Sequence, residues 1–295
     1  MRRTFRNAAI LLTLSILVGC RPALPTEIPS IPEAEVPITE SVATEESAEV
    51  SAATEVSAAS PTTETEPAPQ SEVEAENVFT FSEMGIIVGF DFPNGIDNTV
   101  NTSVEEVYEV SLPFELPYPQ NARILFSAYP GDSAEILSPA IRVFRSDDIN
   151  ALEAGVLDNL KAVLDGQTDH HVDFPRLAGA GSVIDAQLIP VDFKNGTGYR
   201  YLITKSFSAD PLSSTTMTYL YQGITNDEKY FVSFIIKVDA PFLGEYIGKP
   251  LTSNEEFASF YGTINQLIET SNGDQFSPSL NALDELIQSL VVIEK

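Results

Sequence analysis

Tyr199-Arg200-Tyr201-Leu202-Ile203-Thr204-Lys205-Ser206-Phe207 reads as a β-strand, because aromatic and β-branched residues fill it and no breaker interrupts it. Residues 184–193 read the same way. Between the two lies Lys194-Asn195-Gly196-Thr197, where Asn-Gly supplies the positive φ angles that a tight hairpin requires. Residues 215–224 and 229–238 repeat the arrangement around Thr225-Asn226-Asp227-Glu228. Two successive hairpins give a four-stranded antiparallel meander, the longest continuous piece of sheet in the chain's expected fold.

Outward from it, residues 84–93, 106–112, 122–129 and 141–145 are further strand candidates, with prolines 113, 117 and 119 breaking the region between them. A helix is predicted from Ser146: Leu152, Val156, Leu160 and Val163 or Leu164 recur at helical spacing, and Gly166 closes it. Toward the C-terminus the period changes again. Ser253 and Glu256 have the spacing of a capping box, and Phe257, Phe260, Tyr261, Ile264, Leu267 and Ile268 draw one apolar face. Ser277-Pro278 reads as a second helix start with proline at the first helical position. Leu280, Leu283, Ile287 and Leu290 form that helix's stripe, and Val291-Val292-Ile293 follows as a short strand. The expected class is α+β, an antiparallel sheet with helices packed on it.

Residues 79–295 form the predicted globular domain. They hold every tyrosine and every phenylalanine except Phe5, and at 217 residues they bury about 70% of the unfolded surface without staples. The domain has no cysteine, so its stability comes from a core rather than from disulfides.

Upstream, the chain divides into a leader, 1–19, and a tether, 20–78. Arg2, Arg3 and Arg6 precede an apolar run from Ala8 to Val18, which is shorter than the roughly 17 to 25 residues of a membrane span. The run closes on Leu17-Val18-Gly19-Cys20, with the chain's single cysteine. This pattern resembles a bacterial lipobox, which implies cleavage before Cys20 and acyl chains on that residue. Beyond Cys20 the tether has thirteen glutamates, eight prolines, no aromatic residue and one basic residue, Arg21. Such a composition cannot bury enough apolar surface to offset ordering entropy, so it is read as a disordered acidic spacer reaching roughly 40 to 45 Å or more.

The domain is acidic in its own right, with thirty Asp and Glu against twelve Lys and Arg over 79–295. That balance argues against nucleic acid and anionic headgroups as partners. Among residues that carry chemistry, His170 and His171 stand next to each other between Asp169 and Asp173. Adjacent side chains diverge on a regular element, whereas in a loop they could converge with Asp169 or Asp173 on zinc; the pair is read as a polar loop after the helix, and no metal site is assigned. No G-x-S-x-G elbow and no S-x-x-K pair occurs, and Gly179-Ala180-Gly181-Ser182 lacks the pattern of a dinucleotide loop. Glu105-Glu106 and Asp147-Asp148 are read as a solvated strand edge and a helix first turn. No cofactor is expected. The candidate ligand site is aromatic: Tyr199 and Tyr201 share one strand face, as do Tyr219 and Tyr221; if exposed, such a face stacks on glycan or peptide, and the alternative is that the rings, as good strand formers, simply cover the sheet.

Two resemblances accompany these residues. Leu283-Asp284-Glu285-Leu286-Ile287-Gln288-Ser289-Leu290-Val291-Val292, with the early strand from Met84-Gly85-Ile86 to Phe92-Pro93, resembles the PsbP-like fold, whose bacterial members include exported lipoproteins. Gly198-Tyr199-Arg200-Tyr201-Leu202-Ile203-Thr204, Leu220-Tyr221-Gln222-Gly223-Ile224-Thr225-Asn226-Asp227 and Tyr230-Phe231-Val232-Ser233 resemble an uncharacterised family of secreted bacterial proteins with a "YTFQGLT-DG-YYVS" hairpin, over residues 141–242. That family brings no known activity, and this chain departs from it at Glu228, where the family favours Gly. The expectation is a lipoprotein held on the extracytoplasmic face of a bacterial membrane by lipid on Cys20. Its domain would be a non-catalytic binding or accessory module for an envelope protein, peptide or glycan. An extracytoplasmic hydrolase and a structural envelope component are the alternatives.

Overall fold

The structure, a computed structural model, describes residues 75–108, 117–131, 137–176 and 181–295. Cys20 and nearly all of the tether lie outside them. The described residues form an α+β domain. Seven strands make one antiparallel sheet: β3 (Val100–Glu105), β4 (Asn121–Phe126), β5 (Ala140–Arg145), β6 (Gly181–Pro190), β7 (Gly196–Ser206), β8 (Thr216–Thr225) and β9 (Tyr230–Asp239). Their spatial order is β3-β4-β5-β9-β8-β7-β6, so the predicted meander β6 to β9 is present and β5 joins it through β9. A smaller sheet has β2 (Ile86–Phe90) between β1 (Asn77–Phe81) and β10 (Val291–Glu294).

The large sheet is covered on both faces. Strand alternation sends Ile124, Val143, Val232, Phe234, Tyr219 and Leu202 to a first face, where they pack with Val88 and Phe90 of the small sheet. Helices α3 (Asn254–Glu269) and α4 (Leu280–Ser289) add Ile264, Ile268, Leu283 and Ile287 to that core. Phe144, Phe231, Ile235, Leu220 and Tyr201 point to the second face, where α1 (Ser146–Leu152) and α2 (Val156–Leu164) bury Ile149, Val156, Leu157 and Leu160. No helix among the described residues is long and apolar enough to cross a membrane.

Several local expectations shift. The boundary drawn at 78/79 falls inside β1, because the Glu76 amide already bonds Asp91 Oδ1 and Val78 pairs with Gly89. The strand expected at 106–112 is displaced: β3 occupies Val100–Glu105, Tyr108 pairs with Tyr118 in an isolated bridge, and 109–112 lie outside the described residues. Val100 and Val104 supply its apolar side, packing against the first-face core. The single helix predicted from Ser146 is two, because Gly155 takes φ 96°, a left-handed conformation that an α-helix cannot contain. In the first hairpin Phe193 and Gly196 exchange backbone hydrogen bonds around Lys194-Asn195, and neither Asn195 nor Gly196 has positive φ. Gly196 is instead required by close approach, since a Cβ there would lie 2.4 Å from the Ile224 carbonyl oxygen. The positive φ of the second hairpin falls on Glu228, at 59°. Pro278 precedes α4 rather than opening it, and Ser279 is the cap, its hydroxyl accepting from the Ala282 amide.

Candidate functional site

The four tyrosines do not form an open face. Tyr199, Tyr201, Tyr219 and Tyr221 are each 0–1% exposed. Cross-strand register explains why, since Tyr199 pairs with Gln222 and Tyr201 with Leu220, whereas Tyr219 pairs with Leu202 and Tyr221 with Arg200. Directly opposed residues share a side, so the two tyrosine pairs point to opposite faces of a sheet covered on both. Two of them serve the first-face core. The Tyr219 hydroxyl donates to Asp284 Oδ1 at 2.9 Å, and Asp284 also receives the Arg200 guanidinium at 3.2 Å, which fastens α4 to β7 and β8. Burial raises the Asp284 pKa despite these partners. Tyr221 donates to the Val191 carbonyl at 3.2 Å.

The other two reach a polar cluster at the edge of the second face. Tyr201 donates to Asp173 Oδ1 at 2.7 Å and accepts from Gln222 Nε2 at 3.0 Å. Asp173 also pairs with Lys205 Nζ and lies 3.4 Å from His171 Nδ1. On its far side His171 Nε2 meets Asp185 Oδ1 at 3.0 Å, and its ring stacks on Tyr201 with centroids 3.8 Å apart. Burial by itself would lower the His171 pKa, but the carboxylates of Asp173 and Asp185 on its two sides outweigh it and raise the value to about 9. A pKa raised to about 9 favours the charged imidazole at neutral pH, in which both ring nitrogens are donors facing carboxylates. Among the described residues no group of His, Cys, Asp and Glu has the geometry to hold a metal ion. Of the two histidines only His171 is drawn inward; His170 is exposed and contributes its backbone carbonyl to Asn159.

These charges line a cleft of about 390 Å³ that includes His170, His171, Asp173, Arg176, Asp185 and Lys205. A second cavity, about 260 Å³, is lined by Tyr118, Leu152, Glu153, Phe174, Pro175 and Arg176. Arg176 lines both and is held by an ion pair to Glu153. Residues 173–176 thus form a strap between two cavities. Asp173 ties it to Tyr201, while Phe174 packs edge-on against Phe144 and Phe231, with centroids 5.3 and 5.7 Å away.

Between those two attachments the sheet carries a row of polar residues. Register places Arg142 beside Ser233, Ser233 beside Gln222, and Gln222 beside Tyr199, across β5, β9, β8 and β7. The adjacent rows are largely apolar, with Phe144 and Phe231 on one side and Ala140, Ile235 and Leu220 on the other. Arg142 is buried, and its Nε meets Glu105 Oε2 at 3.0 Å while Nη2 donates to the Ser138 hydroxyl at 2.8 Å. Burial lowers its pKa, partly opposed by Glu105. Glu105, expected on a solvated edge, thus bridges Arg142 and Arg123. Ser233 Oγ, Gln222 Oε1 and the Tyr199 hydroxyl are buried without a hydrogen-bond partner among the described residues. Each orphaned group costs about 1 to 3 kcal/mol if nothing occupies the space beside it.

Sequence reasoning brought Asp173, Gln222 and the tyrosines into view but not Asp185, Ser233 or the strap. Ser233 left one signal, a lone small polar residue in the apolar run Phe231-Val232-Ser233-Phe234-Ile235-Ile236. The acidic pair Asp147-Asp148 sits in the first turn of α1, as expected. Comparison with protein families, curated proteins and solved structures finds no match for the chain.

Proposed function

We propose that this is a lipoprotein anchored through Cys20 on the extracytoplasmic face of a bacterial membrane, whose PsbP-like α+β domain is a non-catalytic binding module at the end of the acidic tether. The observation that carries the reading is the strap at residues 173–176. It lies between two cavities and over a sheet face where buried polar groups stand without partners. A pocket with a few converging polar groups is the usual form of a ligand site. Binding is favoured over hydrolysis because the one inward histidine is held as a cation between two carboxylates, so it has no free site to accept a proton. The ligand is an envelope component, and the acidic surface supports excluding nucleic acid.

Capture from envelope extracts tests this. Full-length wild-type protein is expected to retain a specific component that is lost from a Lys205→Met, Asp173→Asn double variant of unchanged circular dichroism. Retention by both proteins would place the site elsewhere, and retention by neither would favour a structural role.

A further inference from the structure

We propose that the acidic cleft where α1, α2, the β8–β9 turn and β10 meet binds a small aliphatic di- or polyamine. This is a second site, beyond the one at the strap, and its lining shares no residue with the two cavities there. The cleft measures about 560 Å³, within the roughly 300 to 1,000 Å³ of small-molecule sites. Stretches far apart in sequence bring carboxylates to it: Asp147 and Asp148 from α1, Asp158 from α2, Asp227 and Glu228 from the turn, and Glu294 from β10. Ser146 lines it as well and is only 4% exposed. Its amide donates to the Lys229 carbonyl at 2.9 Å, while its hydroxyl has no hydrogen-bond partner among the described residues. A buried hydroxyl that borders an open space and bonds nothing in the protein is available to an occupant.

Charge selects a cation. Three basic residues share the lining, but Lys161 is answered by Glu228 at 2.6 Å, Lys229 by Glu294 at 2.7 Å, and Arg145 donates to the Met84 carbonyl at 2.8 Å. Asp147, Asp148 and Asp158 have no ion-pair partner among the described residues, and the lining keeps a surplus of three negative charges. Among those residues no group of His, Cys, Asp and Glu has the geometry to hold a metal ion. Carboxylates spread over a cleft suit separate ammonium groups instead, each of which donates three hydrogen bonds and accepts none. Leu157 and the Tyr230 ring, both largely buried, give apolar surface to the methylenes between the amines, and an aromatic face also attracts ammonium.

The test is calorimetric titration of the full chain with putrescine and spermidine at roughly 0.15 M salt, where attraction to scattered surface charge is largely screened. Wild type is compared with an Asp148→Asn, Asp158→Asn variant, with Ser146→Ala, and with a Glu245→Gln, Glu285→Gln control that removes the same charge from exposed positions outside the cleft. The four acids are exposed and the Ser146 hydroxyl has no partner to lose, so all variants should keep the wild-type circular dichroism. At least one amine should bind wild type in a saturable, one-to-one manner. The aspartate pair should weaken it by about tenfold or more, Ser146→Ala by about threefold, and the control by less than about twofold. The proposal is overturned if neither amine binds saturably or if either cleft variant binds as wild type does. It is overturned too if the control weakens binding as much as the aspartate pair, which would assign the affinity to the acidic chain at large. Each of these failures leaves the strap site standing, since capture from envelope extracts tests that site through other residues.

Discussion

Glu228 and His171 show how single residues carry this fold. Glu228 adopts φ 59° in the second hairpin, a region where a side chain crowds its own backbone. Its carboxylate pairs with Lys161 on the surface, where such pairs contribute little. Glu228→Gly should therefore stabilise the domain by about 0.5 to 1 kcal/mol, read as a raised urea midpoint at unchanged slope. His171 makes stability depend on pH. Its folded pKa of about 9 exceeds the unfolded value of 6.5, so its contribution is complete below about 6.5 and is lost as pH rises through 9. Asp173 is shifted the other way: burial opposes its charge, but His171, Lys205 and Tyr201 hold its pKa down, so its contribution fades in acid. Unfolding free energy should fall by on the order of 2 to 3 kcal/mol between pH 6.5 and 9 in wild type. A His171→Gln variant should show a nearly flat profile over that window, and an equally steep one would refute the assignment. The histidine pair was legible in the sequence as a polar loop feature, but the partner of His171, Asp185, lies on β6 and no local spacing announces it.

At the level of elements, the edge strand β6 depends on α3. Asn265 accepts from the Asp185 amide at 2.9 Å and donates to the Val183 carbonyl at 3.1 Å, while Glu269 accepts from the Gln187 amide. A helix side chain thus satisfies groups that an open sheet edge would leave free for another chain. Asn265→Ala should cost about 1 to 3 kcal/mol and speed amide exchange along β6. The Ser253 cap of α3, whose hydroxyl accepts from the Glu256 amide at 3.2 Å, should cost about 1 kcal/mol when replaced by alanine. The meander and both C-terminal helices were readable because alternation and helical period are local signals. The α1/α2 break and the turn at Lys194-Asn195 were less so: at Gly155 and Gly196 the sequence shows glycine but not whether it serves a positive φ or a close contact.

For the whole molecule, alternation within a strand showed which tyrosines share a side, yet not that the two pairs point to opposite faces. That depends on register between strands, and burial depends on layers that pack on both faces. The result moves the candidate site from an aromatic surface to the polar row beneath the strap. The proposed lipid anchor is tested at Cys20: its exchange for Ser should release the protein from the membrane fraction, and continued retention would contradict lipid anchoring. The most direct measurement is hydrogen–deuterium exchange of the full chain with and without envelope extract. Slowed exchange is expected in residues 171–176 and in the facing parts of β7, β8 and β9. Unchanged exchange throughout, or protection confined to other surfaces, would contradict it.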